Sequence, residues 1–274
     1  MSSVAELISS RELLGNLVSR ELRGKYKRSV LGWSWSLVNP IVTALMFAVV
    51  FGVVLGAKAP GAAKVHGHAA FPLYLLVGLL PWALLANGIT GSITALTGNA
   101  NLVRKVYFPR EHLVVSSVLS WLVSFGIEMT VLTVALLGFG DFVLPWLPLV
   151  ALVAAVQVLF VTGMGLALAV LNVYFRDVQH FVALFLQLWF YGTPIIYRLS
   201  LVRDKSAAHH IGWVYHLYLL NPMADFIDAY HRMLFQGRGP QWPWLGWATV
   251  SALLTLTVGW RLFVRLEPRL AEEL

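Results

Sequence analysis

Residues 142–175 read FVLPWLPLVALVAAVQVLFVTGMGLALAVLNVYF and contain no Asp, Glu, Lys or Arg. A helix needs roughly 20 apolar residues to cross the hydrocarbon core of a bilayer, so this run is long enough for one spanning helix. Charged residues make up only 12% of the 274-residue chain, whereas soluble proteins have about 25%. Further uncharged runs occupy 29–57, 65–103, 178–197, 206–224 and 239–260. The sequence therefore predicts an all-α integral membrane protein.

Six membrane spans are predicted, all within a single membrane domain over residues 36–274. They lie at about 36–56, 71–95, 113–138, 147–172, 179–197 and 241–263. Pro40 falls near the start of the first span, where proline is tolerated. In the second span, Pro72 and Pro81 predict a late start or a kink, with a break near Pro81 as the alternative.

The first 35 residues are predicted to form a separate cytoplasmic element. Apolar residues recur at near-helical spacing over residues 4–28, with Glu and Arg between them, and a cluster of Lys and Arg closes the segment. Such an amphipathic helix lies along the membrane interface and leads into the first span.

The distribution of cations predicts the orientation. Thirteen of the 20 Lys and Arg residues fall on one side of the six predicted spans and seven on the other. Because cytoplasmic segments carry the excess of Lys and Arg, both termini are predicted to be cytoplasmic. The net charge of +7 then reflects membrane topology and not nucleic-acid binding.

Segment 198–240 carries five of the seven cations on the opposite side and many aromatic residues. It is too polar for a span and too apolar for a solvated loop. One or two short interfacial or re-entrant helices are predicted there, because such backbone is tolerated at membrane depth when it is buried in protein or lines a cavity.

Several kinds of chemistry are excluded or disfavoured. The sequence has no P-loop for ATP phosphates and no metalloprotease or serine-hydrolase motif. It has no cysteine, so thiol catalysis and Cys-ligated metal are excluded. A metal site is not expected either, because the histidines of segment 198–240 are irregularly spaced and lack paired carboxylates. They are His209, His210, His216 and His231. We expect a non-catalytic chain that binds no cofactor, with any ATPase in a separate chain.

Two predicted cytoplasmic segments are candidates for docking. The loop over residues 99–111 suits either a protein docking surface or charge that anchors the loop at the membrane. Its charged and aromatic residues are Arg104, Lys105, Tyr107, Phe108, Arg110 and Glu111. Between the fourth and fifth spans, Arg176 and Asp177 predict a turn with a local ion pair, or a cap on the fifth helix by Asp177.

Two features inside the spans have competing interpretations. Glu128 is the only acid well inside a predicted span, and an intramembrane carboxylate is a functional candidate by default. It is either a proton site or a hydrogen-bonded group at a helix contact, and no cationic partner is evident. The aromatic residues along the fifth span either stack on sugars or pack against lipid and neighbouring helices. They are Phe185, Trp189, Phe190, Tyr191 and Tyr197.

Six short motifs follow one another along the chain, at residues 20–40, 78–82, 101–110, 172–177, 193–197 and 221–222. Their order resembles that of the ABC-2 type permeases that export polysaccharides. The resemblance extends over nearly the whole chain, from about residue 10 to residue 265.

The resemblance implies a homodimer with two ATP-binding subunits, which hold ATP and Mg, in the bacterial inner (plasma) membrane. The implied cargo is a polysaccharide or teichoic-acid-like polymer on a polyprenyl-diphosphate lipid, moved to the extracytoplasmic side. The implied contacts with the ATPase are Arg20, Arg23, Lys25, Tyr26, Arg104, Lys105, Tyr107, Phe108, Arg110, Glu111, Arg176 and Asp177. The implied substrate path, between the first and fifth spans, involves Trp35, Phe47, Phe51, Phe185, Trp189, Phe190, Tyr191 and Tyr197.

Three other functions are compatible with a polytopic protein. A proton-coupled secondary transporter would use Glu128 and need no partner ATPase. An ABC-2 exporter of another lipid or of a drug would share the same architecture. An intramembrane enzyme would need paired acid, base or metal-binding residues at one membrane face, and the sequence offers no convincing pair. The sequence does not choose among O-antigen, teichoic acid and galactan as cargo.

Overall fold

The computed structural model describes residues 11–25, 29, 32–54, 70–105, 108–197, 201–202, 204, 206 and 212–273. Over these residues the regular structure is helical throughout, with no β-strand, which confirms the predicted all-α class. The predicted start of the N-terminal helix, at residues 4–10, lies outside the described residues.

The helices are labelled in chain order. They are α1 Arg11–Lys25, α2 Trp35–Phe47, α3 Ala70–Ala95, α4 Ala100–Lys105, α5 Glu111–Gly138, α6 Leu147–Tyr174, α7 Val178–Tyr191, α8 Gly212–Leu219, α9 Pro222–Tyr230, α10 Trp242–Leu266 and α11 Leu270–Glu273. Two of them continue into wider π-helical turns, α2 over Ala48–Val54 and α9 over His231–Phe235.

Five helical segments are long and apolar enough to cross a membrane, and they correspond to five of the six predicted spans. They are Leu37–Val54, Phe71–Ala95, Glu111–Gly138, Leu144–Tyr174 and Trp242–Arg269. The remaining predicted span, 179–197, is helical only in α7, whose 14 residues extend about 21 Å. That is shorter than a bilayer core of roughly 30 Å. The helix ends at Tyr191 because Pro194 follows closely, and the residue before a proline disfavours helical geometry.

The second predicted span is a single helix. Pro72 lies in the first turn of α3, and the helix continues through Pro81, so the predicted break near Pro81 is wrong. The amide of Gln157, on α6, donates to the Pro81 carbonyl at 2.7 Å. This hydrogen bond joins α3 and α6 beside the proline. Pro40 lies in the second turn of α2 and not in its first.

The bundle is built around α3, which packs against α2, α5, α6, α7 and α9. Among the five candidate spans, α3 is the most enclosed and α2 the most exposed. The last span, α10, packs mainly on α6. A Cβ atom at Gly259 would overlap the carbonyl of Gly163, so the two backbones touch there. Small residues allow this close approach between membrane helices.

Three hydrogen bonds join helix ends and connecting segments at one end of the bundle. Arg20 Nη2 donates to Asn99 Oδ1 at 2.8 Å, and Arg110 Nη1 donates to the Glu267 carbonyl at 2.8 Å. The hydroxyl of Tyr174 donates to a carbonyl at the end of α10 at 3.0 Å. The end of α1, the segment around α4, the α6–α7 turn and the end of α10 therefore share one end of the bundle, as the predicted topology requires. That this end is cytoplasmic stays a prediction.

The predicted short helices of segment 198–240 are present as α8 and α9. In α8, Gly212 and Trp213 are exposed, whereas α9 packs against α3, α6 and α10, and its Phe226 and Tyr230 are fully buried. The Tyr230 hydroxyl donates to Gln157 Oε1 at 3.1 Å, which links α9 to α6. α9 is thus enclosed by protein, the condition for backbone that enters a membrane without crossing it.

Candidate functional site

Aromatic rings join α2, α3, α6 and α7. Phe47 of α2 stacks on Phe190 of α7, with 6.2 Å between ring centroids, and Phe190 meets Trp82 of α3 at 5.5 Å. Trp189 lies 6.0 Å from Trp82 and 6.3 Å from Phe160 of α6. Two of the predicted path aromatics on α7 therefore pack into the bundle and connect the first predicted span to the fifth.

Asn221 fixes Trp189 and ties the end of α7 to the start of α9. Trp189 Nε1 donates to Asn221 Oδ1 at 2.9 Å, and the same oxygen accepts from the Met223 amide at 3.0 Å as the N-cap of α9. The Asn221 side-chain amide donates to the Gly192 carbonyl and to Thr193 Oγ1, both at 3.2 Å. The Asn221 side chain thus links the motif at residues 193–197 to the motif at residues 221–222.

Tyr197 has a similar linking role beyond the end of α7. Its hydroxyl donates to the Tyr191 carbonyl at 2.8 Å and is hydrogen-bonded to the Tyr218 hydroxyl of α8 at 2.9 Å. Its carbonyl accepts from the Tyr74 hydroxyl of α3 at 3.3 Å. Tyr197 is half-buried and connects three elements.

The outer side of α7 carries a row of large apolar side chains, each more than half exposed. This α7 stripe consists of Phe181, Leu184, Phe185, Leu188 and Tyr191. Phe185 and Tyr191 were predicted from the sequence as site residues, whereas the other three residues of the stripe were not. The helical spacing of the five residues was the available signal.

A second exposed row, the α2 stripe, consists of Val42, Leu45, Met46, Val49 and Val53, each more than half exposed. Of the path residues predicted on α2, Trp35 is exposed, whereas Phe47 and Phe51 are half-buried with ring centroids 5.9 Å apart. Because the Phe47–Phe190 stack joins the two helices, the two stripes lie on neighbouring helices. We call them together the α2/α7 face.

Lys25, at the end of α1, contacts α5. Lys25 Nζ lies 3.3 Å from the ring centroid of Trp121 and 3.4 Å from Ser124 Oγ, both on α5. Glu128, on the same helix, is close enough to interact electrostatically with Lys25. Burial lowers the pKa of Lys25 to about 7, and the nearby Glu21 and Glu128 carboxylates oppose that shift. The sequence did not reveal the proximity of Lys25 to these α5 residues because α1 and α5 are far apart in the chain.

The histidines of segment 198–240 divide into two groups. His231 is buried, stacks on Tyr74 with 4.0 Å between ring centroids, and donates from Nε2 to the Tyr74 carbonyl at 2.9 Å. His209 and His210, and the side chain of His216, lie outside the described residues. Over the part of the chain that is described, no three His, Asp or Glu side chains are grouped as metal ligands.

Residues 12–235 match the family described as ABC-2 type transporter. The chain belongs to this family. The resemblance seen in the sequence motifs is thereby confirmed. With its apolar spans, this ABC-2 chain is a multi-pass membrane transport protein and not an enzyme.

Several named relatives cover nearly the whole ABC-2 chain. The O-antigen export system permease protein RfbA of Myxococcus xanthus is 33% identical over 252 residues, which are 92% of this chain and 91% of the relative. Its namesake in Klebsiella pneumoniae is 29% identical over 262 residues, covering 95% and 94%. The polysialic acid transport protein KpsM of Escherichia coli is 21% identical over 249 residues, or 90% of each chain.

The predicted ATPase contacts of this ABC-2 chain fall into groups. Arg20, Arg23 and Arg104 are exposed, whereas Phe108 is half-buried against a hydrophobic cluster. Tyr26 and Tyr107, together with the side chain of Lys105, lie outside the described residues.

Arg110 and Glu111 face the protein. Arg110 Nη1 donates to the Glu267 carbonyl, which also accepts from the Leu270 amide, and the Tyr174 hydroxyl donates to the Leu266 carbonyl. Glu111 is completely buried. Arg110 therefore ties the end of α10 to the start of α5 in this structure.

The α6–α7 turn offers an exposed surface, because Phe175, Arg176 and Asp177 all point outward. Asp177 occupies the N-cap position of α7, but its side chain makes no capping hydrogen bond, so the predicted cap is wrong. Asn172 Oδ1 accepts from the Gln179 amide at 3.2 Å instead. The carboxylate of Asp177 is left free to meet a partner.

Proposed function

We propose that this chain is the membrane subunit of an ATP-driven exporter of a polysaccharide or teichoic-acid-like polymer carried on a polyprenyl-diphosphate lipid. The cargo would move from the cytoplasmic to the extracytoplasmic side of the bacterial inner membrane. The named relatives support the polysaccharide class, because full-length matches include two kinds of polysaccharide export protein.

The observation that carries the proposal is the α2/α7 face. It combines exposed aliphatic side chains of α2 with the exposed rings of Phe185 and Tyr191 on α7. Aliphatic surface suits a lipid tail, and flat aromatic faces suit the CH faces of sugars. Two copies of the chain that bring these faces together would enclose a path between their first and fifth spans.

Export would be driven by two ATP-binding subunits that bind at one end of the bundle. The exposed residues of α1, α4 and the α6–α7 turn lie at one end of the bundle, which we assign to the cytoplasm. Closure of the ATPase pair on ATP would displace these elements and separate the α2/α7 faces of the two protomers. Coupling of this kind requires two states that bind ATP differently.

The other end of the bundle is assigned to the exit. There α8 and α9 would act as short re-entrant helices, with the Asn221 hydrogen bonds joining them to the end of α7. Any movement of α7 would then be transmitted to the exit helices, since Trp189 and Thr193 are bonded to the same side chain.

Reconstitution in proteoliposomes tests the proposal. The chain is purified with its partner ATPase, and transfer of a lipid-linked glycan across the membrane is measured with an impermeant glycosidase. We expect transfer that needs ATP and that stops when the catalytic glutamate of the ATPase is changed to glutamine. Transfer without ATP would overturn the proposal.

The proton-coupled alternative is separated by the same preparation. An imposed proton gradient without ATP should give no transfer under our proposal. A carrier that uses Glu128 would transport in that condition and would lose transport in the Glu128→Gln variant. The proximity of Lys25 favours a counter-ion role for this carboxylate.

A further inference from the structure

Lys25 is the last residue of α1, and its side chain extends to α5. Its ammonium sits 3.3 Å from the Trp121 ring centroid and 3.4 Å from the Ser124 hydroxyl, with the Glu128 carboxyl close by on the same helix. Residues three, four and seven positions apart on a helix share a face. One face of α5 therefore presents an aromatic ring, a hydroxyl and an acid to a single cation.

This arrangement offsets part of the cost of burying the Lys25 ammonium. A buried ammonium is costly unless it is paired or hydrogen-bonded, and a cation over an indole ring is attracted most strongly when it is desolvated. By contrast, the hydrogen bond from Arg20 to Asn99 is exposed to solvent, and the contact of Arg20 with Glu21 lies within α1 itself. Lys25 is therefore the more buried of these two polar attachments of α1.

A cavity lies beside Lys25, where the packing of α1 is incomplete. It has a volume of about 550 Å³ and lies between α1, α3 and α5, and its lining includes Arg20, Lys25 and Trp121. On α3, a Cβ at Gly91 would lie 2.6 Å from Ser117 Oγ and 3.1 Å from Trp121 Nε1. The missing side chain at Gly91 thus leaves room for the indole that Lys25 covers.

We propose that Lys25 is a positioning residue that fastens α1 to α5 through Trp121 and Ser124, with Glu128 supplying the opposite charge nearby. The inference rests on the proposed function, in which α1 contacts the ATPase. α5 is then the helix through which a displacement of α1 is transmitted to the membrane domain. Glu128 is assigned as the counter-ion of Lys25.

The attachment is measured by the accessibility of Leu17, a residue of α1 that is buried against the bundle. Because the chain has no cysteine, a Leu17→Cys variant gives a single reactive thiol for an impermeant maleimide. We expect Lys25→Met to raise its labelling rate about tenfold, equivalent to about 1.4 kcal/mol. The matched control is Arg265→Met, which removes an exposed cation at the same end of the bundle and should leave the rate unchanged.

A double-mutant cycle tests the role of Glu128. Each single change, Lys25→Met or Glu128→Gln, leaves one buried group without its partner, whereas the double variant removes both charges. We expect labelling in the double variant to be closer to wild type than in either single variant. Lys25→Arg should retain protection, because a guanidinium also stacks on an indole. Unchanged labelling in Lys25→Met, or effects that simply multiply in the double variant, would overturn the proposal.

Two further measurements separate the attachment of α1 from its role in coupling and from the proposed function. Trypsin cleavage of α1 in the protein without cysteine repeats the accessibility test if Leu17→Cys folds poorly. In proteoliposomes, Lys25→Met should lower the glycan exported per ATP hydrolysed, and an unchanged ratio would contradict the role in coupling. If the wild type exports no glycan, the proposed function fails, while the labelling still decides whether Lys25 fastens α1.

Discussion

At the scale of single residues, the contact between Gly163 and Gly259 shows how little space separates α6 from α10. A Cβ at Gly163 would lie 2.5 Å from the Thr255 carbonyl carbon, so neither glycine tolerates a side chain without a shift of backbone. The sequence contains 22 glycines and does not mark these two. Gly126, on α5, has nothing within 4 Å of its Cβ position.

This difference gives a matched pair of substitutions. We expect Gly259→Val to destabilise the folded protein by about 1–3 kcal/mol, because overpacking forces helices apart. Gly126→Val should have a much smaller effect, since its Cβ position is open. Thermal unfolding in detergent, followed by size-exclusion chromatography, measures both. Equal losses in the two variants would contradict the close contact.

At the scale of elements, two kinds of arginine lie at the end of the bundle that α1, α4 and the α6–α7 turn form. Arg110 is bonded to the end of α10, whereas Arg104 and Arg176 are exposed. All three were predicted as contacts with an ATPase from the same motifs. The structure thus distinguishes cations that hold helices together from cations that are free to bind a partner.

The exposed pair provides the sharper test of docking. We expect Arg104→Glu combined with Arg176→Glu to abolish stimulation of the partner ATPase without lowering the melting temperature, because neither side chain supports the fold. The control is Arg238→Glu, an exposed residue beyond α9, in the part assigned to the exit. Preserved stimulation in the double variant, measured as ATP hydrolysis in membranes, would remove these residues from the docking surface.

Arg110→Ala should have the opposite profile. It removes a hydrogen bond from a charged guanidinium to the Glu267 carbonyl, which keeps its bond from the Leu270 amide, so we expect a loss of stability of about 1–3 kcal/mol. The melting temperature in detergent should fall even when no ATPase is present. A stable Arg110→Ala protein would indicate that this hydrogen bond is dispensable for the fold.

At the scale of the whole molecule, the α2/α7 face is the surface on which a dimer would depend. Both stripes are apolar, and both belong to elements that are weakly enclosed within one copy of the chain. Lipid also covers apolar helices, so exposure by itself does not distinguish a dimer interface from a lipid-facing surface. An experiment on the position of a second copy makes that distinction.

Cross-linking of single cysteine substitutions shows where a second copy of the chain lies. We expect Met46→Cys and Leu188→Cys to form cross-linked dimers in membranes with a short bismaleimide, because both lie on the α2/α7 face. Val134→Cys on α5 is equally apolar and exposed, and it should remain monomeric on denaturing gels. Similar cross-linking at all three positions would contradict a dimer through this face.

The sequence by itself determined the membrane-embedded helical fold and five long spans, because uncharged runs of sufficient length have few other stable solutions in a chain with so few charges. Its ordered motifs also pointed to the ABC-2 family. Helix ends that depend on distant partners were decided only by tertiary structure. Asn172 caps α7 where Asp177 was expected, and Lys25 contacts Trp121 and Ser124 on a helix that is remote in the chain. Sequence periodicity describes one helix at a time, whereas these contacts form between helices and depend on how the whole bundle packs.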